Sequence, residues 1–178
     1  MIEAFVGLGA NLGDRLGALS LAVEKLSREP GFNLRRVSLA YETEPIGPPQ
    51  PRYLNAVAQV GTLLSPRATL QKLQAIEEAL GRVRRERWGS REIDLDLLLF
   101  GERTVNETGL LVPHPLLAQR AFVLVPLAEI APLIALPGGL TAGQMLAALS
   151  PAERAEVRPF RAIRRPLPEA GEDAGPES

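Results

Sequence analysis

Apolar residues recur along this chain with two different periods, and the switches between them mark out the elements. Residues 2–8 form a short apolar run that enters the glycine-rich stretch GLGANLG at 7–13, the pattern of a strand leading into a turn. Leu16, Leu19, Val23 and Leu26 then recur at the spacing of one helix face, which predicts an amphipathic helix over 15–27 stopped by Pro30-Gly31. Residues 32–41 read as a second strand, with Leu34 and Val37 among polar neighbours. The next stretch, ETEPIGPPQPR at 42–52, holds four prolines and a glycine. Neither a helix nor a central strand accommodates it, and an ordered loop of this length in a compact domain commonly carries function. Residues 53–64 read as a third strand.

Ser65 followed by Pro66 is an N-cap with proline at the first helical position. Leu70, Leu73, Ile76, Glu77 and Leu80 give that helix a face, and Gly81 supplies its stop. A charged loop at 82–92, RVRRERWGSRE, precedes the buried-strand run IDLDLLLF at 93–100. A turn at Gly101, a short extended piece at 104–105, a Pro-His-Pro segment at 113–115 and a partly helical apolar stretch at 122–130 follow. Thr141 with Gln144 forms a capping box ahead of Met145, Leu146 and Leu149, predicting a last short helix, and 157–160 fits an edge strand. From about residue 164 the chain turns to RRPLPEAGEDAGPES, without aromatics and rich in Pro, Gly and acidic residues. That composition predicts a disordered tail. The order strand, helix, strand, strand, helix, strand is the split βαβ pattern of a ferredoxin-like α+β sandwich, an antiparallel sheet with helices packed on it. That fold serves many functions and decides none.

Composition narrows the field. A chain of 178 residues makes one domain, and 46% hydrophobic with 23% charged residues is the profile of a globular protein. Lys+Arg is 20 and Asp+Glu is 21, for a net charge of -1, which argues against a nucleic-acid binder. There are no cysteines, so disulfides, Cys-zinc sites and thiol catalysis are excluded, and a reducing cytoplasm is the expected location. His114 is the sole histidine, so no His cluster can hold a metal. No apolar run reaches the roughly 18 residues of a membrane span, and the start of the chain lacks the basic region of a signal peptide.

The strongest chemical signal is RWGSREIDLD at 87–96. Alternate side chains of a strand share a face, so Asp94 and Asp96 point one way while Ile93, Leu95 and Leu97 point into a core. Two such carboxylates lie roughly 6–7 Å apart, too far to share a proton but suited to ligating Mg²⁺ between them. Alone, Asp-x-Asp reads equally as a solvent-facing acidic pair. Beside it, however, Arg82, Arg84, Arg85, Arg87 and Arg91 fall within ten positions, and guanidinium forks suit phosphate oxygens. Carboxylates for cations beside arginines for anionic oxygens is what a metal-triphosphate site needs. A solvated face paired with Glu86 and Glu92 is the plain alternative. Gly7-x-Gly9-x-x-x-Gly13 has the wrong spacing for a dinucleotide fingerprint, lacks a P-loop Lys-Ser/Thr, and reads as a tight turn at a site edge. His114 and Arg120 make a phosphate-binding pair or a structural one. Tyr53 and Asn55 share a strand face after the proline-rich loop. Asn can pair edge-on with a heterocycle, and Tyr53, Trp88 or Phe122 can stack on one or fill a core.

Together these segments resemble the 6-hydroxymethyl-7,8-dihydropterin pyrophosphokinase family of folate biosynthesis. The resemblance rests on VGLGANLGDR at 6–15, YETEPIGPPQPRYLNAV at 41–57, GRVRRERWGSREIDLDLLLFG at 81–101 and VPHPLLAQRAFVLVPLAEIAP at 112–132, in family order. It implies transfer of the diphosphate of ATP to the hydroxymethyl group of the dihydropterin with release of AMP, by a catalytic domain over 1–160 with the tail at 161–178 outside it. It implies two Mg²⁺ ions, held by Asp94 and Asp96. Arg82, Arg91, His114 and Arg120 would hold phosphates, with Arg84 and Arg87 assisting. Gln74, Glu77 and Leu97 would line the nucleotide side. The pterin would rest against Tyr53, Asn55, Trp88 and Phe122, with backbone contacts from Thr43 and Ile46. ATP and a dihydropterin are the expected partners of a monomer that engages neither nucleic acid nor membrane. Pro115 replaces an aromatic often found after the histidine, and the arginine loop is one residue shorter than the common form. A small-ligand sensor or a kinase moving only the γ-phosphoryl group are the competing readings.

Overall fold

The computed structural model describes residues 1–45, 47–81, 93–115, 117 and 120–166. Among the described residues the strands are β1 (Ile2–Ala10), β2 (Phe32–Val37), β3 (Leu39–Thr43), β4 (Tyr53–Thr62), β5 (Asp94–Phe100), β6 (Val105–Glu107), β7 (Leu110–Val112) and β8 (Val157–Ala162). The helices among them are α1 (Arg15–Arg28), α2 (Pro66–Ala79), α3 (Ala121–Ile130), α4 (Ala142–Ala148) and α5 (Pro151–Ala155).

Period-two alternation decides which way each strand faces. In β1, Ala4, Val6, Leu8 and Ala10 enter one core cluster while Phe5 enters another. In β4, Leu54, Ala56, Ala58 and Val60 join the first cluster and Val57 the second. The first cluster is closed by Leu19, Val23 and Leu26 of α1 and by Leu73 and Ile76 of α2. The second is closed by Leu124 and Leu127 of α3 and Ala142 of α4. The sheet therefore carries helices on both faces. All its pairings are antiparallel, in the order β5-β1-β4-β3-β8, with β2 also on β4 and β6-β7 as a separate hairpin.

The ferredoxin-like expectation holds for the inner arrangement, with α1 and α2 on one face. Local chemistry explains the element ends. Asp14 caps α1 by accepting from the Gly17 amide at 2.9 Å, and Ser65 caps α2 by accepting from the Ala68 amide at 3.1 Å. Gly81 stands at φ +85°, in the left-handed region expected of a helix stop. The capping box of Thr141 and Gln144 forms as expected. The 157–160 edge strand is also present as β8, which extends to Ala162, followed by a buried Ile163.

One expected strand is two. The stretch 32–41 breaks at Ser38, which is buried. The Ser38 hydroxyl accepts the Val57 amide at 2.9 Å and donates to the Leu39 carbonyl at 2.8 Å. A side chain thus replaces a backbone acceptor, three residues stand where the partner strand has two, and the register shifts by one between Val37↔Ala58 and Tyr41↔Asn55. The break also lets β3 pair with β8 on its far side. A second bulge lies in β5. The register slips between Val6↔Leu97 and Phe5↔Leu99, so Leu98 and Leu99 both enter the second core.

Candidate active site

The site follows from strand register. Asp94 of β5 pairs with Gly9 of β1, which pairs with Asn55 of β4, which pairs with Tyr41 of β3. One step along, Asp96 pairs with Gly7, and Gly7 with Val57. These rows share the sheet face that α3 covers farther along. Beyond the start of α3 the face is open, and the two glycines leave its middle strand without side chains. The result is a cavity of about 300 Å³. Asp94 and Asp96 lie on one side of it, Tyr53 and Asn55 on the other, and Arg120, Phe122 and Val123 from the start of α3 form a wall.

The expectation that Asp94 and Asp96 share a face is met: Asp94 is half-buried and Asp96 exposed, while Ile93, Leu95 and Leu97 are buried in the first core. Leu97 can therefore reach a nucleotide only through its backbone. Thr43 is buried and its Oγ1 accepts the Asn55 Nδ2–H at 2.7 Å, which fixes the amide plane beside Gly9. A Cβ built on Gly9 would stand 3.0 Å from Asn55 Oδ1, so the amide leans over the bare backbone. The Arg120 guanidinium lies over the Phe122 ring, 5.4 Å from its centroid.

His114 is anchored by its own backbone, whose N–H donates to the Leu98 carbonyl at 2.9 Å. Its imidazole is pulled below its ordinary pKa first by burial and next by the positive charge of Arg120, against a smaller opposite pull from Asp94. It is therefore neutral at pH 7, with one ring nitrogen to donate and one to accept. The structure thus brings Asp94, His114 and Arg120 within electrostatic reach of one another. Gln74 is exposed on α2 and lies outside the lining of this cavity. Glu77, one turn on, is buried and accepts the Leu95 amide at 2.7 Å. Ile46, Arg82, Arg84, Arg87, Trp88 and Arg91, together with the tail from 167, lie outside the described residues.

Several residues of the site carried no signal of their own. Asn11, fully buried at the end of β1, donates from Nδ2 to Gln50 Oε1 at 3.0 Å and to the Pro51 carbonyl at 3.2 Å. It holds the proline-rich loop against the sheet, and Gln50 and Glu44 of that loop line the cavity. Arg15 reinforces the anchor by donating to Glu42 and to the Arg52 carbonyl, both at 3.0 Å. That hydrogen bond holds the Glu42 carboxyl below the usual range. Such contacts span 27 to 40 positions and leave no periodic trace.

The donor set at the two aspartates is all oxygen. Among the described residues no group of three or more His, Cys, Asp or Glu side chains could hold a metal. A cation bound here would rely on two carboxylates plus water and phosphate oxygens, the coordination that Mg²⁺ favours. The two carboxylates fit that ion.

Comparison with known proteins agrees with this arrangement. The family model described as 7,8-dihydro-6-hydroxymethylpterin-pyrophosphokinase (HPPK) matches residues 5–132. The chain belongs to the HPPK family. Among named HPPK relatives, the 2-amino-4-hydroxy-6-hydroxymethyldihydropteridine pyrophosphokinase of Methylorubrum extorquens is 45% identical over 159 residues, covering 88% of this chain and 100% of that protein. The Pseudomonas aeruginosa protein of the same name is 44% identical, covering 92% and 96%. The Synechocystis one is 46% identical, covering 72% and 66%. HPPK folds also match among solved structures. A crystal structure of HPPK-DHPS in complex with substrates aligns with TM-score 0.68 at 14% identity, covering 83% of this chain and 43% of that one. The Plasmodium falciparum HPPK-DHPS wild type with pteroate aligns at 0.67 and 16%, covering 83% and 42%. The present chain thus spans less than half the length of those solved chains, and at such identity they speak for the HPPK fold alone. Among the described residues no helix is long and apolar enough to cross a membrane.

Proposed function

We propose that this protein transfers the β,γ-diphosphate of ATP to the hydroxymethyl group of 6-hydroxymethyl-7,8-dihydropterin, releasing AMP, in folate biosynthesis. The observation that carries the reading is the pair of rows Asp94–Gly9–Asn55 and Asp96–Gly7–Val57 in a chain of the HPPK family. They set two carboxylates across a bare glycine floor from the Asn55 amide, and Tyr53, two residues before Asn55 on the same strand, also lines the cavity. A flat heterocycle with a polar edge suits the space between Tyr53 and Phe122, with Asn55 and Thr43 meeting its hydrogen-bonding edge and Ile46 and Trp88 completing the enclosure.

The hydroxymethyl oxygen then faces the aspartates. ATP enters on that side, its phosphates held by neutral His114 and by Arg120, with Arg82, Arg84, Arg87 and Arg91 supplying further guanidinium groups. Gln74 and the Leu97 backbone stand on the nucleotide side. Two Mg²⁺ ions on Asp94 and Asp96 would neutralise charge on the diphosphate and on the departing AMP. In the transfer the hydroxymethyl oxygen bonds to the β-phosphorus, the bond from that phosphorus to the α-phosphate bridging oxygen breaks, and the hydroxyl proton is released. The side chains contribute alignment and charge neutralisation, which is most of what this class of transfer requires. Residues 1–160 form the catalytic domain, acting as a monomer in the cytoplasm.

Product identity tests the proposal. The purified protein is incubated with ATP, Mg²⁺ and the dihydropterin, and the nucleotides are separated. AMP that forms only when pterin is present is the expected result. ADP would replace diphosphoryl transfer with simple phosphorylation, and no turnover by folded protein would point to a ligand sensor.

A further inference from the structure

β5 is an outer strand, and among the described strands it pairs only with β1. In an antiparallel ladder every second residue turns its N–H and C=O away from the partner, and on an outer strand those groups need another acceptor or donor. Two contacts on the outer side of β5 serve here. The His114 amide donates to the Leu98 carbonyl at 2.9 Å, and the Leu95 amide donates to Glu77 Oε1 at 2.7 Å. Leu95 is the residue between Asp94 and Asp96. Its side chain is buried in the first core, so side chain and amide together fix the peptide from which both carboxylates project.

Glu77 is an unusual occupant of its position. It is 2% exposed and shares the inward face of α2 with Leu73 and Ile76, where an apolar residue would avoid the cost of desolvating a carboxylate. One thing the carboxylate adds is an acceptor for an amide that α2 shields from water.

We infer that Glu77 is a positioning residue, which sets the spacing and direction of the Asp94–Asp96 pair by holding the Leu95 amide at the outer edge of the sheet. The inference rests on the reading that this pair carries Mg²⁺. It assigns Glu77 a role through the strand, not through the nucleotide.

Two near-isosteric variants of the full chain separate the possibilities. Glu77→Gln keeps an acceptor for the Leu95 amide, and Glu77→Met does not. Amide exchange across 93–98 is measured without metal or nucleotide, and the Mg²⁺ half-saturation of AMP formation is measured alongside. Glu77→Gln should keep Leu95 protected and the half-saturation within about twofold of the parent, whereas Glu77→Met should speed Leu95 exchange and raise the half-saturation by about tenfold or more. Leu73→Ala, a cavity on the same helix face, should speed exchange broadly and leave the Mg²⁺ response in place.

An unchanged Mg²⁺ response in a folded Glu77→Met variant would overturn the inference. So would a Glu77→Gln variant that protects Leu95 yet loses the Mg²⁺ response, because the carboxylate would then act through its charge. The second outcome stands even if the Met variant does not fold. Asp96→Asn keeps the two readings apart: if it retains the parental Mg²⁺ dependence, the metal assignment itself fails, whatever the Glu77 variants do.

Discussion

Replacing Gly9 by Ala puts the smallest possible obstacle on the floor of the cavity. Gly9 lies inside β1 and is absent from the glycines of positive φ, so alanine adopts its backbone without strain. Alanine in a strand interior is favoured over glycine by roughly 0.5–1 kcal/mol. Against this, the new methyl group stands 3.0 Å from Asn55 Oδ1 and 3.8 Å from Tyr53 Cδ1. Asn55 cannot yield freely, because its Nδ2 is committed to Thr43 Oγ1 at 2.7 Å. Loosening that bond costs about 1 kcal/mol. The two contributions nearly cancel, so the melting temperature should move by no more than about 2–4 °C.

Binding is affected differently. A ring seated against the Gly9 backbone must ride over the methyl group or give up the Asn55 contact, and overpacking of that kind costs about 1–3 kcal/mol. Pterin affinity, measured calorimetrically with Mg²⁺ and a non-hydrolysable ATP analogue present, should therefore weaken by roughly 5- to 150-fold. Affinity for the nucleotide analogue alone should change little. Pterin binding within twofold of the parent would refute the placement of the ring on the Gly7–Gly9 floor. A large loss of thermal stability would instead refute the reasoning about strand strain.

Other outcomes follow from the same geometry. Asp96→Asn should lower AMP formation by at least about a hundredfold. Because Asp96 is exposed, its urea midpoint should reflect a stability change within about 0.5 kcal/mol. The Tyr41 hydroxyl donates to Glu129 Oε1 at 2.6 Å; burial first, then that bond and the negative charge, hold the phenol above its ordinary pKa of 10. The folded chain thus keeps a proton that the unfolded chain loses. Stability should be level with respect to this group below pH about 10 and fall as pH rises above it, and denaturant titrations at pH 8 to 11 should show a shallower fall in Tyr41→Phe. Thr69 is fully buried on α2 with no hydrogen-bond partner for its hydroxyl among the described residues. Thr69→Val should therefore stabilise by about 1 kcal/mol, read as a rise of roughly 2–4 °C in melting temperature, and a fall would show that the hydroxyl is satisfied.

What was legible in the sequence was what a few consecutive residues encode. Helix faces, caps and strand alternation are local, so α1, α2, β1 and β4 could be drawn from spacing, and Ser65, Thr141 and Gly81 marked ends that the chain adopts. The same alternation put Asp94 and Asp96 on one face. The residues alone left His114 and Arg120 open between a phosphate-binding pair and a structural one, and resemblance of whole segments to a family pointed to the first.

The tertiary structure decided everything that depends on which strand lies beside which. Gly7 and Gly9 read as a tight turn at a site edge; they do border the site, but as strand residues on its open floor, because register sets them between the aspartates and Val57 and Asn55. Ser38 divided a strand by offering its hydroxyl to a residue nineteen positions away. Glu77 occupies a hydrophobic helix face and turned out to serve the amide of Leu95. Asn11 and Arg15 hold a loop that begins about thirty residues later. Periodicity records the orientation of a residue relative to its own element, whereas a hydrogen bond across the sheet is set only when burial of both apolar faces has fixed the register, and that is a property of the whole chain.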